Sequence, residues 1–288
     1  MNLVAVVLNW NGGEDTLAAL SSLEGVTTIC VDNGSTDGSD LVVEERFADV
    51  ELLRTGSNLG FAGGNNVGIR RALERGADWV LLLNNDATAE PGVAAALEHA
   101  AAARPDAGLL ACKILFEDGV TIQYAGASFS RFGYSGRQTG HGQPDRFHEL
   151  RDVGRADGAA LAVSRVAVDR AGLLDERLFA YVEDVEWSLR IRDAGLAIVF
   201  VPNARVRHKG SAATGGRRST AGLYYSTRNT ISVLEQRRPV ARGLTGARRL
   251  VVVAAHLAQA ASHPARREAV RAVVSGWQDA RAHRSGPR

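Results

Sequence analysis

The sequence predicts an α/β protein, a mostly parallel sheet with helices on both faces, followed by a C-terminal helical extension. Short β-branched or leucine-rich runs alternate with helix-like stretches through the first 115 residues. A second ordered block follows a stretch at 117–150 that is rich in Gly, Ser, Phe and Tyr. Beyond Gly216 the chain turns Arg- and Ala-rich, with apolar residues at helical spacing. Such alternation implies βαβ units, and strands this continuously apolar are covered on both faces.

The strand-like runs are 3–8, 28–31, 50–53, 79–83 and 108–115, with helix-like stretches at 15–23, 39–47, 65–75 and 91–103. Gly76 follows its helix as a C-terminal stop, and Pro91 after Glu90 suits a first helical turn. The stretch 117–150 reads as irregular strands and loops. After it, 158–164 reads as a strand, 182–194 as a helix ended by Gly195, and 197–201 as a strand before a break at Pro202. In the tail, Leu244, Ala247, Val251, Ala254, Ala258 and Ala261 recur at helical spacing, with Arg242, Arg248 and Arg249 nearby. That pattern is an amphipathic, basic helix.

Composition narrows the class. The 288 residues are 45% hydrophobic and 23% charged, which excludes pervasive disorder. Cys30 and Cys112 each sit in an apolar run, so buried free thiols in a reducing compartment are expected rather than a disulfide framework. Residues 1–10 carry no basic leader, and no stretch approaches the roughly 20 apolar residues of a membrane span, so a cytoplasmic protein is expected. The net charge of +2 conceals an asymmetry. Residues 1–210 carry 20 Lys and Arg against 29 Asp and Glu, whereas 211–288 carry 14 Arg against Glu235, Glu268 and Asp279. An acidic body suits a metal ion, and a basic tail suits nucleic acid or an anionic membrane face.

Polar motifs cluster where open α/β sheets bind ligands, at the carboxyl ends of strands. The first strand runs into Asn9-Trp10-Asn11-Gly12-Gly13, and the second into Asp32-Asn33-Gly34-Ser35-Thr36-Asp37. Asp32 can accept hydrogen bonds from a base or ribose, although Asp-Asn-Gly is equally a plain turn before a helix cap. Asn58-Leu59-Gly60-Phe61-Ala62-Gly63-Gly64-Asn65-Asn66-Val67-Gly68 enters a helix, and its glycines permit close approach of a diphosphate. They follow the third strand and lack the G-x-G-x-x-G spacing, which disfavours a dinucleotide fold. Asn84-Asn85-Asp86 ends the fourth strand, where Asp86 suits a divalent cation or caps the next element.

Three carboxylates, Glu183, Asp184 and Glu186, open a helix whose dipole favours them as anions. Asp184 beside Trp187 suits a general base against an aromatic wall. His208 is either a metal ligand or an exposed histidine.

Taken in order, these segments resemble family 2 glycosyltransferases of the GT-A fold, in the rhamnosyltransferase-like branch. The matching residues are 9–12, 31–37, 58–66, 84–86, 181–187 and His208, over about 1–215. The resemblance implies a GT-A domain at 1–215, with a nucleotide-binding half at 1–115 and an acceptor half at 116–215, and a basic helical extension at 216–288. It implies donor contacts from Asn9, Trp10, Asn11, Asp32, Asn33, Asn58, Gly60, Gly63, Asn65, Asn85 and Asp86. Asp86 and His208 would hold Mn²⁺ or Mg²⁺, Asp184 would be the base, and Gly158, Glu183 and Trp187 would face the acceptor. Asn84 stands where the family's DxD metal motif often has its first aspartate, leaving one acid fewer.

The reaction implied is a single inverting transfer from dTDP-L-rhamnose or a UDP-sugar to a glycan or lipid-linked acceptor. A sugar-phosphate nucleotidyltransferase is the competing enzyme, but Asn9–Gly13 lacks its basic glycine loop. An inactive nucleotide-sugar binding module is the non-enzymatic alternative. For the tail, no nucleic-acid reading motif is present. Peripheral contact with an anionic membrane is expected, with packing on the body or a homodimer contact as alternatives.

Overall fold

The computed structural model describes residues 1–129, 138–210 and 219–288. Ser211, the expected boundary at 215/216 and part of the irregular 117–150 stretch lie outside them. The first half builds the alternation its sequence dictates: β1 (Leu3–Asn9), α1 (Gly13–Ser21), β2 (Thr27–Asp32), α2 (Ser39–Arg46), β3 (Glu51–Arg54), α3 (Gly60–Glu74) and β4 (Trp79–Asn84). Then come β5 (Ala87–Ala89), α4 (Val93–Ala103) and β6 (Ala107–Leu115), whose residues are all buried. Among its described residues the irregular stretch contributes the short β7 (Ile122–Tyr124), and β8 (Arg151–Asp152) follows directly after it. After it run β9 (Ala160–Ser164), α5 (Arg165–Ala171), a 3₁₀ turn at Glu176–Leu178, α6 (Glu183–Asp193) and β10 (Ala197–His208). Three helices finish the chain: α7 (Thr220–Arg237), α8 (Arg242–Ala261) and α9 (Arg266–Arg281).

The sheet order is β3-β2-β1-β4-β9-β6-β10-β5. β3, β2, β1 and β4 are parallel, as are β6 and β10. β9 enters between the two blocks antiparallel to both β4 and β6. Its amino end therefore lies beside the carboxyl end of β4, with Leu83 opposite Ala160. That single reversal carries Gly158 and Ala159 to the mouth of the parallel strands.

Two expectations need correction. The strand at 197–201 does not end at Pro202; β10 continues to His208. Its register on β6 jumps between Val201 and Arg205, a bulge that accommodates a residue with no N–H to give the ladder. The second concerns the alternative that the apolar stripe of α8 packs on the body, which it does not. Leu244, Ala247, Val251, Ala254, Ala258 and Ala261 are exposed, and Val253 and Ala260 face inward instead.

The main core joins the sheet to the helices on its faces. A second core ties α7, α8 and α9 together through Leu223, Tyr224, Ile231, Val253, Ala272 and Val273. Phe179 and Tyr181, just before α6, pack against this second core. Among the described residues no helix is long and apolar enough to cross a membrane.

Candidate active site

A cavity of about 390 Å³ opens at the carboxyl ends of the parallel strands. Trp10, Asn33, Asn58, Gly60, Asn85, Asp86, Gly158, Glu183, Asp184 and His208 line it. These residues come from widely separated parts of the sequence, and the sheet topology brings them together.

The strand pairing explains how Asp86 meets His208. Asp86 sits between β4 and β5, and β5 pairs antiparallel with the end of β10, placing His208 opposite Ala87. The Lys209 amide donates to the Asp86 carbonyl at 3.1 Å, closing the same junction. His208 Nδ1 lies 2.7 Å from Gln123 Oε1, an acceptor, so Nδ1 carries the ring proton. Nε2 is buried and without a hydrogen bond, 3.1 Å from Asp86 Oδ1. An imidazole nitrogen and a carboxylate facing each other in this way are a donor set that fits Mn²⁺ or Mg²⁺. Among the described residues no group of three or more His, Cys, Asp or Glu side chains adds to them. Gln123 lies in the irregular stretch, and nothing in its neighbourhood in sequence signals that it orients a histidine.

Asp184 occupies the first turn of α6 and is buried. Its Oδ2 accepts from Arg155 Nη1 at 3.2 Å and from the Gly158 amide at 3.3 Å. Oδ1 accepts from the Val185 amide at 2.8 Å. A buried guanidinium and two backbone donors thus fix both oxygens of the carboxylate in place. Arg155 is itself fixed from behind, since the Tyr124 hydroxyl donates to its carbonyl and the Tyr124 ring lies 5.7 Å from its guanidinium. The third carboxylate of this turn, Glu186, is structural: it pairs with Arg190 at 2.8 Å and Arg237 at 2.7 Å.

Several expected site residues stand elsewhere. Trp187 is fully buried in the main core, and its indole N–H donates to the Gly172 carbonyl at 2.8 Å. Three residues beyond Asp184 on α6, it points away from the cavity. The aromatic wall is instead Phe61, Phe179, Tyr181 and Tyr225. Asn9 and Asp32 lie outside the lining and form a knot beneath it. Asn9 Nδ2 donates to Asp32 Oδ1 at 3.0 Å and Ser39 Oγ at 2.8 Å, while Asp32 Oδ2 accepts from the Gly34 and Ser35 amides. Asn11 caps the neighbouring loop through the Thr36 amide at 2.7 Å.

Asn65 bonds its own helix at the Phe61 carbonyl, and Gly63 packs on Leu59. Of the glycine-rich segment, Asn58, Gly60 and Phe61 face the cavity. Gly60 has φ +75°, and a Cβ there would sit 2.4 Å from the Phe179 carbonyl oxygen.

The profile described as "Glycosyl transferase family 2" matches residues 13–164. The chain is 34% identical over 220 residues to the N-acetylglucosaminyl-diphospho-decaprenol L-rhamnosyltransferase of Mycobacterium tuberculosis, covering 68% of this chain and 71% of that one. It is 24% identical over 219 residues to the dTDP-rhamnosyl transferase RfbF of Shigella flexneri, covering 72% and 69%. Among solved structures, GalNAc-T7 with UDP, GalNAc and Mn²⁺ aligns with a TM-score of 0.63 at 17% identity, over 82% of this chain and 48% of that one. The chain thus spans about half of GalNAc-T7, and at that identity the likeness is one of fold. A GT-A sheet with its cleft at the strand ends and the match of sequence to profile agree: this chain belongs to glycosyl transferase family 2, with rhamnosyltransferases among its relatives.

Proposed function

We propose that this chain is an inverting glycosyltransferase that moves L-rhamnose from dTDP-L-rhamnose, or failing that the sugar of a UDP-sugar, to a hydroxyl of a glycan or lipid-linked acceptor. One observation carries the reading: Asp86, His208 and Asp184 line a single cavity. The two rhamnosyltransferase relatives support the sugar, and the decaprenol-linked substrate in the name of the first supports a polyprenyl diphosphate acceptor.

Asp86 and His208 are the residues that would hold Mn²⁺ or Mg²⁺. Bound there, the cation supplies neutralisation of the negative charge that builds on the departing diphosphate. Asp32, fixed by Asn9, is the proposed contact for base or ribose, with Trp10, Asn33, Asn58 and Asn85 on the donor side. Asp184 takes the proton from the acceptor hydroxyl. The freed oxygen pair forms a bond to the anomeric carbon from the face opposite the diphosphate. The carbon–oxygen bond to that group breaks, and the nucleoside diphosphate leaves with its electrons. Phe179 and Tyr225, stacked at 5.3 Å, offer the acceptor an apolar platform at the cavity rim.

The exposed apolar stripe of α8 is the proposed contact with an anionic membrane, where a lipid-linked acceptor resides. Replacing Asp184 by Asn is the test of the reaction. Transfer should fall by about a thousandfold or more, as a lost general base implies, while dTDP binds as in the wild type. Turnover retained in Asp184→Asn would remove the base role.

A further inference from the structure

We propose that Asn229, in α7, is a positioning residue that holds the turn bearing Asp184 in its working form. The C-terminal helices then complete the active site rather than merely follow it. The inference rests on the proposed role of Asp184 and extends it.

The turn is costly as built. Between the 3₁₀ turn and α6, three non-glycine residues adopt positive φ: Phe179 at 65°, Tyr181 at 66° and Val182 at 77°. A β-branched residue in that region is a genuine outlier, and such residues persist only where their surroundings over-determine them. Phe179 is the centre of a γ-turn, closed by the Ala180 amide on the Leu178 carbonyl at 2.8 Å. Two residues past Val182 stands Asp184.

Asn229 supplies the over-determination. It is 1% exposed, and its Nδ2 lies 2.9 Å from the Leu178 carbonyl, 2.9 Å from that of Ala180 and 2.8 Å from that of Tyr181. Two amide protons thus serve three carbonyls that the strained backbone turns toward one point. The orientation of the amide is fixed, because Arg228 Nε donates to Asn229 Oδ1 at 2.9 Å. Arg228 adds its own Nη2 to the Leu178 carbonyl at 3.0 Å and its Nη1 to the Gly286 carbonyl at 2.6 Å. On the opposite side, the Phe179 carbonyl accepts from the Ala62 amide at 3.3 Å, in the space that Gly60 leaves open. The turn is therefore held between α3 and α7. No residue of α7 touches the reacting atoms through this network, yet a displacement of about 1 Å at a base costs about a hundredfold in rate.

The test uses the full-length chain carrying Asn229→Asp, which keeps the shape but aims an oxygen at the three carbonyls. Three measurements are made: transfer kinetics, dTDP affinity by calorimetry, and amide hydrogen exchange. The expected result is kcat lower by about a hundredfold, dTDP affinity within twofold of wild type, and faster exchange at Ala62 and at 179–184 with β1 and β4 unchanged. Asn229→Ser, a milder change, should give the same pattern in smaller degree.

Wild-type rates in Asn229→Asp, or unchanged exchange at 179–184, would overturn the proposal. So would exchange that quickens equally through β1 and β4 in both variants, the mark of a general packing role. The exchange readout needs no turnover. If the wild type transfers no sugar, the glycosyltransferase reading fails and exchange alone still judges the clamp.

Discussion

Gly68 lies inside α3, against the sheet, and a Cβ at that position would sit 2.3 Å from Val6 Cγ1 and 3.1 Å from Val31 Cγ2. Both neighbours are β-branched and buried, so neither can swing aside. In an exposed helix Gly→Ala gains up to about 1 kcal/mol from propensity. Here Gly68→Ala should instead destabilise by about 1–3 kcal/mol, the usual result of overpacking a filled core, which a urea melt measures. A more stable Gly68→Ala would show that α3 has slack against β1. The glycines of 58–68 were legible in the sequence as sites of close approach, but not what approaches them. For Gly64 and Gly68 it is the sheet, and only Gly60 faces the cavity. Trp187 was misread for a related reason. Sequence spacing places it near Asp184 on α6 but does not say which face meets the core.

Most strands and helices of 1–115 were legible element by element, because the strands are apolar at their centres and the helices carry their own period, but β5 at Ala87–Ala89 was not. β9 was legible as a strand but not in its direction, since antiparallel entry depends on pairing partners far away in sequence. The pairing of β5 with β10, which brings Asp86 to His208, was hidden by the same distance and by the proline within β10. In α8 the amphipathic pattern was plain, and its apolar stripe faces outward. Leu244 is 59% exposed, Leu250 61% and Val251 68%, with Arg242 exposed on the same helix. An apolar face edged by arginine suits an anionic bilayer, where each arginine near the surface contributes about 1 kcal/mol. Replacing Leu244, Leu250 and Val251 together by Ser should abolish flotation with phosphatidylglycerol vesicles and leave soluble-acceptor transfer intact. If the wild type does not float, and the triple variant converts a dimer to a monomer in sedimentation, the stripe is a subunit contact instead.

At the scale of the whole molecule, the charge asymmetry and the two cores divide the labour. The acidic body carries the cleft, and the basic helices close it through the turn at 178–182. The GT-A fold was legible because four ordered motifs follow the ends of β1, β2, β3 and β4, and a fifth opens α6. The cleft's aromatic wall was not, because Phe179 and Tyr225 become neighbours only when α7 packs back over the turn before α6.

The account stands on the proposal that the facing pair of Asp86 and His208 holds a cation through which the donor binds the cleft. Calorimetric titration of dTDP into the full-length protein, in Mn²⁺ and then in excess chelator, measures that directly. The expected result is affinity at least tenfold weaker under chelation, and no effect of chelator in a variant carrying both Asp86→Asn and His208→Ala. Equal dTDP affinity with and without Mn²⁺ in the wild type would contradict the account.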